Sequence, residues 1–183
     1  MTRLFVAIDL PEECKDQLDG LCHGLPGAKW MRDQQFHVTL RFVGEVDGPM
    51  ARRLAIALNG VRADPFELEL QGVGTFPPHR TPRVLWAGVS VSPELTGLYQ
   101  QVQRVLRRAG LPPEQRKFSP HVTLARLNGV PPQQLQGFLS EHVGLRSEPI
   151  AVTDVQLFSS ALGSGGAQHR VEASYPLFAR RPG

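Results

Sequence analysis

Cysteine is scarce in this 183-residue chain, with only Cys14 and Cys22 present. Two thiols exclude a disulfide framework, and without close ligand spacing they do not suggest a metal site; both read as small apolar packing groups. Long apolar runs are also missing. The run Leu4 to Leu10 is short and contains Asp9, so it is neither a signal peptide nor a membrane span, and a cytoplasmic protein with no membrane partner is expected. Lysine is rare, 3 residues against 17 arginines. Arginine forks match phosphate oxygens, although a codon bias would give the same excess, and a formal charge of +3 is too small to argue nucleic-acid binding alone. No glycine-rich phosphate loop, dinucleotide-binding glycine pattern or nucleophile elbow occurs, which removes the usual signatures of nucleotide-triphosphate, dinucleotide and serine or cysteine hydrolase sites.

What is present is an echo. His37-Val38-Thr39-Leu40 returns as His121-Val122-Thr123-Leu124. In an extended strand alternate side chains share a face, so each copy places an imidazole and a hydroxyl on one side and apolar groups on the other. Simple alternation extends this to Phe42 on the apolar face, to Arg41 on the His37 face, and to Arg126 on the face of Val122 and Leu124.

The surrounding pattern repeats with the tetrapeptide. Leu4 to Leu10 reads as a buried strand, Pro11 to about Leu25 as a helix, Trp30 and Met31 as the lead into the first His-Thr strand, Pro49 to about Leu58 as a helix, and Pro65 to Leu70 as a strand. After an expected loop from Gly72 to Pro82 come a strand over Val84 to Val91, a helix from Pro93 to about Ala109 capped by Ser92, the second His-Thr strand over Phe118 to Leu127, a helix from Pro132 to about His142, and a strand from Pro149 to Ser159. His37 and His121 are 84 positions apart (121 − 37), as are Pro65 and Pro149 (149 − 65); the first strands are offset by 80 (84 − 4). We read a single bilobal α+β domain built by internal duplication, roughly 1–75 and 83–160, with a C-terminal strand over 169–175. Each lobe is a mainly antiparallel sheet with helices, and a central cleft lies between the two His-Thr strands.

Two histidines facing one substrate can divide acid from base work, and each threonine hydroxyl can hold a phosphate oxygen. The competing chemistry is zinc, with His79 or His169 completing a set begun by His37 and His121. Trp30 and Phe42 read as core residues that could instead stack on a base. Arg80, Arg83 and His79 lie on a polar loop that could touch a nucleic-acid strand.

These residues resemble the two-histidine (2H) phosphoesterase superfamily, and within it the RNA 2′,3′-cyclic phosphodiesterases, also called 2′-5′ RNA ligases. The resemblance rests on the paired H-x-T-x motifs together with Arg3 to Ile8, Phe42-Val43-Gly44, Phe76-Pro77, Pro82 to Gly88 and Ala125-Arg126. It implies hydrolysis of RNA 2′,3′-cyclic phosphate ends, or of small cyclic nucleotides, to 2′-phosphates by a monomer that needs neither metal nor cofactor. By the same resemblance His37 is the proton donor, His121 the proton acceptor, and Thr39, Thr123 and Arg126 bind substrate. Arg126 reaches the cleft only if its strand twists or ends there; otherwise it is a surface residue. Alternatives are an RNA-end binding module without catalysis, or 2′-5′ ligation by the reverse reaction.

Overall fold

The first strand, β1 (Thr2–Asp9), sends Leu4, Val6 and Ile8 into the main core, while Phe5 and Ala7 form a second small buried cluster with Phe158 on the opposite face. A strand buried on both sides carries a nearly continuous apolar run. The computed structural model describes residues 1–78 and 80–178. After β1 come α1 (Glu12–Asp19), β2 (Ala28–Trp30), β3 (His37–Val46), α2 (Gly48–Ala57), β4 (Phe66–Leu68), β5 (Leu70–Phe76), β6 (Val84–Val89) and α3 (Pro93–Arg108). The chain closes with β7 (His121–Leu127), α4 (Pro132–Glu141), β8 (Ile150–Val152), β9 (Asp154–Gly163) and β10 (Gly166–Pro176).

The helix ends follow from their residues. The Ser92 hydroxyl accepts from the Leu95 amide at 3.1 Å, the Asp47 carboxylate accepts from the Met50 amide at 2.8 Å, and Gly110, at φ +105°, takes the left-handed turn that ends α3. Helix α1 is shorter than expected, because the chain leaves the helix at Gly20 and turns through Leu21 and Cys22.

Two four-stranded antiparallel sheets result, ordered β10-β9-β1-β3 and β2-β7-β6-β5, with a small third sheet of β4 and β8. Each large sheet borrows from the other repeat: β9 of the second half pairs with β1, and β5 of the first half pairs with β6. The expected loop from Gly72 therefore begins as a strand, and only residues beyond Phe76 connect. One glycine there has a packing reason. A Cβ on Gly74 would lie 2.3 Å from the Trp86 ring on the neighbouring strand, so Gly74 leaves room for that indole.

The duplication has a structural signature in the small sheet, where Glu67 pairs with Ala151, its own equivalent (67 + 84 = 151). When two equivalent strands pair antiparallel across a two-fold axis, the central residue faces its own counterpart. The register of the first strands is offset by 79 rather than 80: Phe5 lies opposite Phe42 and Val84 opposite Arg126 (84 − 5). One buried cluster runs from Leu4 through Leu54, Leu95 and Val122 to Leu177, so both repeats share a core. The asymmetric additions are β2, on the edge of β7, and β10, on the edge of β9; Tyr175 in β10 donates to the Ala55 carbonyl of α2 at 2.7 Å. No helix among the described residues is long and apolar enough to cross a membrane.

Candidate active site

The two His-Thr strands begin at their histidines, and alternation holds over the first four residues of each. Val38, Leu40, Val122 and Leu124 are buried, while His37, Thr39, His121 and Thr123 are half-buried and line one cleft of about 430 Å³. Beyond that the alternation breaks. Val6 pairs with Arg41 and Ala7 with Thr39, skipping Leu40; Leu85 pairs with Ala125 and Trp86 with Thr123, skipping Leu124. Each strand has a bulge at the same place, and a bulge's extra residue flips the side chains that follow it to the other face, in β3 as far as a second shift at Val43.

This irregularity places Arg126, which the sequence left open, and corrects the expected faces of Phe42 and Arg41. Arg126 turns onto the cleft face and lines it with both histidines. Its counterpart Phe42 is 46% exposed on the same wall rather than in the core. Arg41, expected beside His37, points inward at 7% exposure. There it donates to Gln103 Oε1 at 2.9 Å and to the Pro112 carbonyl. Gln103 in turn donates to the Leu40 carbonyl at 3.1 Å, so α3 satisfies the polar groups that the bulge frees.

Aromatic rings set the pose of each imidazole. His37 stacks on Phe5 at 4.8 Å between centroids, Phe5 stacks on Phe158 at 5.0 Å, and Phe158 lies 5.8 Å from His37. His121 meets the edge of Phe76 at 4.9 Å. Phe158 and Phe76 are equivalents, since each pairs with the first strand of the other repeat, opposite Phe5 and Val84.

The electrostatics differ between the two. Nδ1 of His121 lies 2.7 Å from the Ser119 carbonyl. A carbonyl can only accept, so Nδ1 carries the hydrogen, and the lone pair of the neutral ring falls on Nε2. Burial lowers the pKa of His121, with the Ser119 contact acting the other way. His37 is pushed down to about 3, first by burial and then by the charges of His169, Lys15 and His121. Lys15 is itself buried and pairs with Asp9 at 3.1 Å, and Asp9 lies opposite His37 in the β1–β3 register. Both shifts favour the neutral imidazole.

A third imidazole is also present. His169, on β10, lines the cleft 5.2 Å from the His37 ring and 4.9 Å from Phe5; burial lowers its pKa, and its Nδ1 is buried without a hydrogen-bond partner. Its place was hidden in the sequence because it depends on which sheet the last strand joins. Among the described residues no group of three His, Cys, Asp or Glu side chains is placed to hold a metal ion. Trp30 packs partly against the core, 5.8 Å from Phe138, and also lines the cleft. Arg3, Lys29 and Arg126 make the rim basic. Arg80 and Arg83 are exposed away from this cleft, and His79 lies outside the described residues.

Comparison with known proteins agrees with this architecture. The LigT-like phosphoesterase family model matches residues 8–86 and again residues 89–167, one match per repeat. A protein of Aeropyrum pernix named RNA 2′,3′-cyclic phosphodiesterase is 43% identical over 113 residues, which is 61% of this chain and 64% of that protein. The Thermotoga maritima protein of the same name is 33% identical over 92% of both chains. The crystal structure of E. coli LigT complexed with 3′-AMP superposes with a TM-score of 0.75 at 26% identity, over 96% of this chain and 98% of that one. With the family pattern matched twice, once around each bulged His-x-Thr strand, the chain belongs to the LigT-like phosphoesterase family.

Proposed function

We propose that the chain hydrolyses RNA 2′,3′-cyclic phosphate ends to 2′-phosphomonoesters by metal-independent acid–base catalysis. The observation that carries this reading is one cleft lined by His37 and His121 together with Thr39 and Thr123. The names of the relatives, RNA 2′,3′-cyclic phosphodiesterases, supply the substrate class.

In this reading Nε2 of His121, left basic by the Ser119 carbonyl, takes a proton from water. The water oxygen attacks phosphorus in line with the P–O3′ bond. That bond breaks as His37, in its protonated form, gives O3′ a proton, leaving the phosphate on O2′. The threonine hydroxyls donate to the non-bridging oxygens, and the Arg126 guanidinium balances the charge that builds up on them. His121 ends charged and His37 neutral, so exchange with solvent resets the pair. Because its surroundings favour the neutral form of His37, the anionic substrate must draw in the proton that His37 later donates.

The test is turnover of a 2′,3′-cyclic mononucleotide by His37→Ala and His121→Ala. Each is expected to lose about 10²- to 10⁴-fold in kcat while keeping its thermal unfolding transition, and a chelator should leave the unmodified chain unaffected. Full activity in either variant would overturn the assignment.

A further inference from the structure

The cleft does not end at the histidines. A second recess of about 200 Å³ adjoins it, bounded by Arg32, Gln34, Gln168 and His169; Arg32 and His169 border both spaces. The chemistry of its walls is distinctive: among the described residues they carry one guanidinium, several carboxamides and no carboxylate. Arg32 makes no ion pair among the described residues, and its guanidinium lies over the turn between β9 and β10, 3.1 Å from where a Cβ on Gly165 would sit. The wall is held rigidly: Gln35 Oε1 accepts from the Arg32 amide at 2.9 Å, and Gln35 Nε2 donates to the Ala167 carbonyl at 2.9 Å, tying residues 32–35 to β10. The side-chain amides of Gln34 and Gln168 are exposed and make no hydrogen bond among the described residues, so their donors and acceptors are available.

The direction of the reaction says what belongs there. In an in-line displacement the leaving oxygen departs opposite the attacking water. With water at His121, on the β7 sheet, O3′ and its ribose lie on the His37 side, on the β3 sheet. The recess opens from that same side, past His169, on the strand two places from β3's neighbour β1. The 5′ carbon of the terminal ribose carries the next phosphodiester. That group needs a cation and room, and the nucleotide beyond it offers base edges that carboxamides can pair with.

We infer that this recess, bounded by Arg32, Gln34 and Gln168, receives the phosphodiester and nucleotide 5′ to the terminal ribose, so that the site favours oligoribonucleotide ends over cyclic mononucleotides. This rests on the cyclic phosphodiesterase reading of the main cleft.

The experiment measures kcat/KM of the intact chain on a 2′,3′-cyclic mononucleotide and on a trinucleotide ending in a 2′,3′-cyclic phosphate. The trinucleotide is expected to be the better substrate. Arg32→Ala should lower its kcat/KM about tenfold more than that of the mononucleotide and weaken its salt dependence. The double variant Gln34→Ala, Gln168→Ala, which touches only the recess, should lower the trinucleotide value and leave the mononucleotide value within about twofold. Cleavage of both substrates with equal efficiency, or equal losses on both in the variants, would overturn the subsite while leaving the main reading intact. Failure of the unmodified chain to cleave either substrate would overturn the main reading and the subsite with it.

Discussion

The depressed pKa of His37 leads to a quantitative expectation. Its value of about 3 lies 3.5 below the ordinary 6.5, which sets about 5 kcal/mol against the imidazolium. A phosphate anion about 4 Å away, at an effective dielectric of about 20, returns about 4 kcal/mol. Ligand and burial therefore nearly cancel, and a bound phosphate should bring His37 back to within about one pH unit of an ordinary histidine. The assay is an NMR titration of the His37 ring, first on the free chain and then with saturating inorganic phosphate or a nucleoside 2′-phosphate. The free ring should stay neutral until the pH falls well below 5, and the liganded ring should titrate near neutrality. Kinetics should show the same linkage. The value of kcat/KM, which reports the free enzyme, should decline with rising pH from a more acidic point than kcat, which reports the complex. A free His37 that titrates near 6.5, or one that ligand does not move, would refute the reasoning.

Other perturbations separate structure from chemistry. Arg41→Ala should cost about 3 kcal/mol of unfolding free energy, because it removes charged hydrogen bonds and leaves Gln103 Oε1 and the Pro112 carbonyl without the guanidinium that they accept from. Arg126→Ala should change stability by less than about 0.5 kcal/mol and lower kcat/KM about tenfold or more; the reverse pattern, read by urea denaturation beside turnover, would mean the bulges are misassigned. The folded pKa values of His37, His121 and His169 are all lowered, so between them and 6.5 the unfolded chain binds more protons and stability rises with pH. For His37 the window runs from about 3 to 6.5, at about 1.4 kcal/mol per pH unit. The chain should therefore be about 2 kcal/mol less stable at pH 5 than at pH 7 through His37 alone, and His37→Asn should remove that share of the difference in denaturant melts.

The paired tetrapeptides were legible because strand alternation is local: four residues sufficed to place His37, Thr39, His121 and Thr123 on one face. The faces of Arg41, Phe42 and Arg126 were not, because the bulges arise from how β3 and β7 pair with β1 and β6, and no glycine or proline marks them. Strand β5 read as a loop because Gly72 and Gly74 look like breakers, whereas Gly74 answers to Trp86 on the next strand. Strand β2 is three residues long, and its partner β7 lies about a hundred positions away, so no window of sequence contains the reason for it. His169 belongs to the same class. Its histidine was visible, but its approach to His37 depends on β10 joining β9, and β9 joining β1.

That exchange of strands bears on whether the halves are domains. If each lobe were one repeat folded on itself, a chain ending after Phe76 would be complete. In the observed topology it is not. The first half alone would leave β1 without β9, exposing the edge from Arg3 to Ala7, and would leave β5 without β6. It would also strip Phe5 of Phe158, the base of the stack beneath His37. Isolated edges of this kind are templates for aggregation rather than stable surfaces. Residues 1–77 and 83–178, produced separately, should therefore be unfolded or aggregated, and mixing them during refolding should restore the cleft. A well-dispersed NMR spectrum from either half alone would show that the borrowed strand is dispensable. The coupling has a functional side as well. Phe76, which supports His121, reaches the second sheet on a strand of the first repeat, and Phe158, which supports His37, reaches the first sheet on a strand of the second. Each imidazole is thus braced by the opposite half of the chain, and the spacing of the two imidazoles across the cleft is fixed by the same pairings that hold the fold together.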